Sequence, residues 1–148
     1  MRLVFTKGPG KFDRLEVFRP GGTTAVVDCP KQGIVPHDMV HYAVEHTLCA
    51  RGFLSRVKAG ESAGFQMAPD AQSDSVERLV EVFQGDAWSG AMTTAAGVLE
   101  MYTVTCEARA CPALPIDEID VEAVRSAIAA LTSRWAEVEV GGSLELDL

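Results

Sequence analysis

The chain has 148 residues, a formal net charge of −8, 47% hydrophobic residues and 23% charged residues. That length supports a buried core without disulfide staples, and the composition excludes an intrinsically disordered chain. No apolar run approaches the ~20 residues of a membrane span, so no membrane partner is expected.

The charge is uneven: residues 1–60 carry a net +4 and residues 61–148 a net −12. The basic residues are scattered along an expected hairpin without interleaved aromatics, which disfavours a nucleic-acid surface. Cys29, Cys49, Cys106 and Cys111 are too few for a disulfide framework. The CxxxxC spacing of the last two is looser than a zinc knuckle. All four read as structural thiols, Cys49 as a buried one within a helix, and the cytoplasm is the expected compartment.

In chain order, MRLVFTKGPG holds charge but no apolar stretch of the kind that makes a secretory signal; it reads as a strand. Arg2 to Lys7 and Phe12 to Arg19 flank the turn KGPGK, and RPGG leads into a third strand, TTAVVDC. Connections this short impose an antiparallel meander. Pro36 suits the first turn of a helix, along which Met39, Val40, Ala43, Val44, Thr47 and Ala50 recur at helical spacing until Gly52. FLSRV reads as a short strand, and the Gly/Ser/Pro-rich stretch behind it as a loop.

A second helix is capped by Asp74 with Glu77 at the capping-box position, shows an apolar stripe from Val76 to Phe83, and stops at Gly85. A third runs through Met92, Ala95, Ala96, Leu99, Tyr102 and Cys106 to the break at CPALP. A fourth opens at Asp120, with Ile119 and Val124 placed for a hydrophobic staple and Val121, Val124, Ile128, Leu131 and Trp135 on one face. The tail AEVEVGGSLELDL is either a hairpin about GGS, pairing Val140 with Leu144, or a single last strand if Trp135 continues the helix. The sum is one α+β domain over residues 1–148: an antiparallel sheet, made of the N-terminal three-stranded meander and a C-terminal strand or hairpin, packed against about four helices.

Chemistry concentrates in PHDMVHYAVEH, residues 36–46, which holds all three histidines of the chain. At about 100° per residue, His37, Asp38, His41 and Glu45 share an arc beside the apolar one. His37 and His41 stand one turn apart, the separation at which two imidazoles hold one metal ion, as in the HExxH helix. Glu45 is about 12 Å from His37 along the axis, at about 1.5 Å per residue, so one ion cannot join both across a straight helix. The workable sets are His37 and His41 with a ligand from outside, His41 and Glu45 with one, or an arrangement in which His37 lies in the loop before the helix and folds back over the first turn.

The expected metal ligands are therefore His37, His41 and Glu45. Asp38 and Glu45 are the candidate bases, zinc or a similar divalent ion is the expected cofactor, and hydrolysis is the expected chemistry. Asp38, one methylene shorter than Glu, has the weaker reach to a metal-bound water. Histidine acid/base chemistry on a small-molecule ligand without metal is a third reading. The competing reading is an ordinary polar helix face, on a non-enzymatic binding module or homo-oligomer that engages its partner through a sheet face or edge.

CPKQGIVPHDMVHYAVEHTL resembles the most recognisable stretch of small bacterial proteins with a PHDxxHxxxE segment. The resemblance covers about twenty residues. It implies that Pro36, His37, Asp38, His41 and Glu45 form one motif, and implies no activity, substrate or cofactor. Two other matches fail. GESAG at 60–64 has the G-x-S-x-G spacing, but no helix pattern follows Ser62 and the histidines precede it. KGPGK and RPGG lack the GK[ST] of a phosphate loop.

Overall fold

Alternation decides the sheet. In β1 (Arg2–Thr6), β2 (Phe12–Phe18) and β4 (Ser143–Asp147) every second side chain is buried. The computed structural model, which describes residues 1–63, 68 and 70–148, joins these strands and β3 (Thr24–Pro30) into one antiparallel sheet of order β3-β2-β1-β4. Leu3 stands between Val17 and Leu146, and Phe5 between Leu15 and Leu144. This apolar layer is continuous with the buried faces of the helices. KGPGK and RPGG are the turns of the meander, and Gly22 supplies the left-handed residue of the second at φ 78°.

The helices are α1 (His37–Leu48), α2 (Phe53–Lys58), α3 (Ala71–Trp88), α4 (Ala95–Ala108) and α5 (Glu118–Ala136). There are five among the described residues rather than about four, because FLSRV forms α2 and not a strand. The loop expected after it falls largely on residues 64–67 and 69, outside the described residues. Ser62 of GESAG is exposed, and the next described helix after it begins at Ala71.

Central to the packing is α1, which touches α2, α3, α5 and β3. Met39, Val40, Ala43 and Val44 are buried as their spacing predicts, but so are His41 and Glu45. The helix ends at Leu48: Cys49 takes a left-handed conformation, φ 50°, and the Ala50 N–H returns to the Glu45 carbonyl at 3.1 Å. Gly52 therefore does not stop α1; it opens α2. Cys49 is exposed, not buried, while Cys29 and Cys106 lie in the core and all four thiols are free.

The α3 cap is Asp70, not Asp74. Its carboxylate accepts from the Ser73 N–H at 2.9 Å, which moves Glu77 out of any capping box and into the second turn. Gly85 lies inside α3, which continues to Trp88. Thr94 caps α4, whose buried stripe is Ala95, Val98, Tyr102 and Cys106; Met92 precedes the helix and is 84% exposed. Asp117 and Asp120 form the capping box of α5, so that helix opens at Glu118. Ile119 is exposed and makes no staple with Val124.

Trp135 continues α5, and the tail is one strand and not a hairpin. Lys7 explains the choice. Its amine donates to the Trp135 carbonyl at 2.7 Å and lies 4.9 Å from the centre of the Trp135 ring. Its backbone exchanges hydrogen bonds with Gly141 and Gly142, which leads the chain into β4 beside β1. Among the described residues no helix is long and apolar enough to cross a membrane.

The Tyr102 hydroxyl ties α4 to its surroundings: it donates to the Ser75 carbonyl at 3.1 Å and accepts from the Leu114 N–H at 3.0 Å. Tyr102→Phe removes both hydrogen bonds at once and leaves the Ser75 carbonyl and the Leu114 N–H without this partner. The expected loss of stability is about 1–3 kcal/mol, read as a lower urea midpoint with an unchanged slope.

Candidate metal centre

The polar stripe of α1 is turned mostly inward, with His41 and Glu45 buried. It lies against α3, and what α3 offers there is Glu77 and Gln84, seven residues and about two turns apart. The two histidine rings meet edge to face with centroids 4.8 Å apart. The His41 Nε2 lies 3.0 Å from Glu77 Oε2, and the His37 Nε2 lies 3.5 Å from Glu77 Oε1. One donor atom from each of His37, His41 and Glu77 falls within 4.8 Å of the others, a group that could hold a metal ion.

Each histidine is braced at its other nitrogen. The His37 Nδ1 is 3.0 Å from Gln84 Oε1, and the Gln84 amide nitrogen donates to Gln32 Oε1. That second contact turns the Gln84 oxygen toward His37 Nδ1, and the ring's Nε2 faces Glu77. His41 is only 2% exposed and its Nδ1 lies 3.3 Å from Glu45 Oε1. The approach is out of line for a hydrogen bond, leaving a buried nitrogen held by charge alone.

Glu45 in turn is fixed by the start of α2. It accepts from the N–H groups of Gly52, Leu54 and Ser55 at 3.2, 2.9 and 2.8 Å, and from the Ser55 hydroxyl at 2.6 Å. The free N–H groups of a helix N-terminus favour a carboxylate, which is why FLSRV becomes helical here. The close approach requires Gly52: a Cβ there would lie 2.5 Å from Val76 Cγ1 and 2.7 Å from the Glu45 carboxylate.

Two expected participants thus stand apart from the three donors. Glu45 lies behind His41, on the ring edge away from Glu77. Asp38 accepts from the Cys29 thiol at 3.1 Å. Burial, with the Asp38 charge adding to it, raises that thiol far above its ordinary range. The outside residue that the two histidines meet is Glu77, which the sequence explains equally well as a capping residue. The signal that marks it is the line Ser73, Glu77, Gln84: polar residues that recur at helical spacing along the border of the apolar stripe.

Burial alone would push the His41 imidazole down, but Glu45 and Glu77 outweigh it and hold the imidazolium up to about 9. Burial would raise Glu77 and Glu45, and the histidines pull both below their ordinary range, with Ser55 and Leu54 adding to the effect at Glu45. His41 has an unfolded value of 6.5, so its contribution to stability is complete below pH 6.5 and is lost as pH rises through 9. The carboxylates contribute above 4.5 and lose that contribution as pH falls. Melting of EDTA-treated protein should therefore decline between pH 6.5 and 9, and His41→Gln should lack that decline. An equal decline in the variant would contradict the arrangement.

No protein-family model, curated protein or solved structure matches this chain.

Proposed function

We propose that this protein binds one divalent transition-metal ion through His37 Nε2, His41 Nε2 and a Glu77 oxygen. The observation that carries the reading is the bracing of both rings: each Nδ1 faces a fixed oxygen, so both Nε2 atoms turn toward one carboxylate. Outer partners of this kind orient metal-ligating histidines and raise their basicity.

Tetrahedral bonds of about 2.1 Å place neighbouring donors about 3.4 Å apart; the two separations at Glu77, 3.0 and 3.5 Å, are close to that, and the three donors all lie within 4.8 Å of one another. Two nitrogens and one oxygen favour zinc or iron(II) over calcium or magnesium, which take oxygen ligands. The reading also gives the PHDxxHxxxE spacing a physical purpose. Its two histidines supply donors, and its glutamate braces the buried one.

Three protein donors leave a coordination position open, and the His37 and Glu77 side chains are 28% and 33% exposed, so that position is accessible to water. A bound ion would supply Lewis acidity and an activated water there. Hydrolysis is the narrower form of the proposal and rests on the open position, since no further carboxylate among the described residues joins the cluster.

Elemental analysis of untagged protein, before and after metal supplementation, tests the binding. Close to one equivalent is expected, with loss in both His41→Ala and Glu77→Ala. Glu45→Gln should weaken affinity by about 10–100-fold through the brace. Less than about a tenth of an equivalent after supplementation would overturn the proposal. Titration calorimetry in buffers of different ionisation enthalpy should show about one proton released at pH 7, from the His41 imidazolium. For the narrower form, turnover of chromogenic esters or phosphodiesters no faster than with Glu77→Ala would remove hydrolysis and leave binding.

A further inference from the structure

The end of α4 brings two cysteines together. Ala110 takes the left-handed conformation at φ 53°. Its N–H donates to the Glu107 carbonyl at 3.2 Å, and the Cys111 N–H donates to the Cys106 carbonyl at 3.1 Å. These are the paired bonds of a Schellman cap, whose last residue folds its side chain back toward the residue five positions earlier. In α4 both of those residues are cysteines, and their thiols are in hydrogen-bond contact. The cap itself does not call for sulfur: the returning N–H groups that close α1 and α3 belong to Ala50 and Ala91. The 3.1 Å backbone bond holds the two Cα atoms to about 7 Å or less, which takes in the roughly 4.4–6.8 Å spanned by disulfides.

The two thiols differ in access. Cys106 is 1% exposed, whereas Cys111 is half-buried. Burial raises the Cys106 thiol above its ordinary range, the Tyr102 hydroxyl opposing and the Cys111 sulfur adding to it. A dissolved oxidant therefore meets Cys111 first. We propose that Cys106 and Cys111 form a reversible thiol–disulfide site that exchanges with small disulfides of the glutathione class. The Cys111 thiolate attacks one sulfur of the small disulfide and expels a thiolate, which takes up the proton that Cys111 lost. Cys106 then gives up its proton and attacks the Cys111 sulfur, and the second small thiol leaves with that proton. Two protein thiols are oxidised to one disulfide, and one small disulfide is reduced to two thiols. The closed bond fastens α4 to the CPALP connection, where the Pro112 carbonyl accepts from the Ser75 hydroxyl and the Leu114 N–H donates to Tyr102.

The site is independent of the metal centre and is tested on full-length protein kept in EDTA. The protein is equilibrated with glutathione buffers of rising disulfide fraction, quenched with acid, alkylated and digested with trypsin, which cuts after Arg109, between the two cysteines. Mass spectrometry should find peptides 79–109 and 110–125 joined, more completely in the native protein than in urea at the same buffer, and separated by dithiothreitol. Cys106→Ala should hold glutathione on Cys111. Cys111→Ala should leave Cys106 unmodified under conditions that modify the exposed Cys49. The parent protein's map needs no variant, so a folding defect in either one leaves the test intact. Separate peptides while Cys49 carries glutathione, or joining no more complete than in urea, would overturn the proposal. So would modification of Cys106 in a folded Cys111→Ala variant as fast as that of Cys49.

Discussion

A carboxylate shut away from water must be neutralised where it lies, and Glu45, almost fully buried, sets that demand at the centre of the helical layer. The structure answers from two sides. The first turn of α2 turns three N–H groups and a serine hydroxyl onto it, and the His41 ring stands against the opposite side. Neither answer works without the other. A six-residue helix is far below the ~12 residues at which isolated helices persist, so α2 exists because the carboxylate takes its unpaired donors. The path of the chain from Cys49 to Gly52, with its left-handed residue and its missing side chain, brings that turn within reach.

From Glu45 the polar contacts continue outward in one chain. His41 leads to Glu77, Glu77 to His37, His37 to Gln84, and Gln84 to Gln32 in the connection between β3 and α1. Trp88 closes the end by donating to the Gln32 carbonyl at 2.9 Å. Such a seam through a packed interface is tolerable only when its members are satisfied together, since each orphaned group costs about 1–3 kcal/mol. The unsatisfied member is the His41 Nδ1, and it belongs to the ring whose opposite nitrogen faces the other two donors. The unsatisfied point of the network and the proposed metal position therefore share a side chain, as expected where local packing rules yield to chemistry.

The sheet is legible in the sequence because its rules are local: alternation in β1, β2 and β4, and Gly/Pro turns too short for crossovers. The long helices are legible through their apolar periods, although their ends are not. Asp70 and Asp117 outcompete Asp74 and Asp120 as caps, and nothing in residue type separates an aspartate from another a few positions away. The misreading of α2 is of another kind. Phe53, Leu54 and Val57 suit a strand, and the term that makes them helical is a carboxylate eight positions earlier. Likewise the His37–His41 pair is legible at one-turn spacing, whereas Glu77 lies forty residues from His37 and has a sufficient local explanation. A partner supplied by tertiary packing leaves only a faint trace: a polar residue on the edge of an apolar stripe.

Helix α3 presents one face to α1 and another to α4. At about 100° per residue, Glu77 and Gln84 fall within about 20° of each other, whereas Val82 lies about 140° around the axis from Glu77. The first pair meets α1, and Val82 with Gly85 lines a groove beside α4. Gly85 does not end α3, and a Cβ at that position would meet open space. Side chains that diverge this far share no partners, and changes at one such face leave the other intact to within a few tenths of a kcal/mol. What α3 contributes to both is position: a capped helix of 18 residues, anchored by Val76, Leu79, Val80 and Phe83, holds a carboxylate against two imidazoles on one side and an apolar trough open on another.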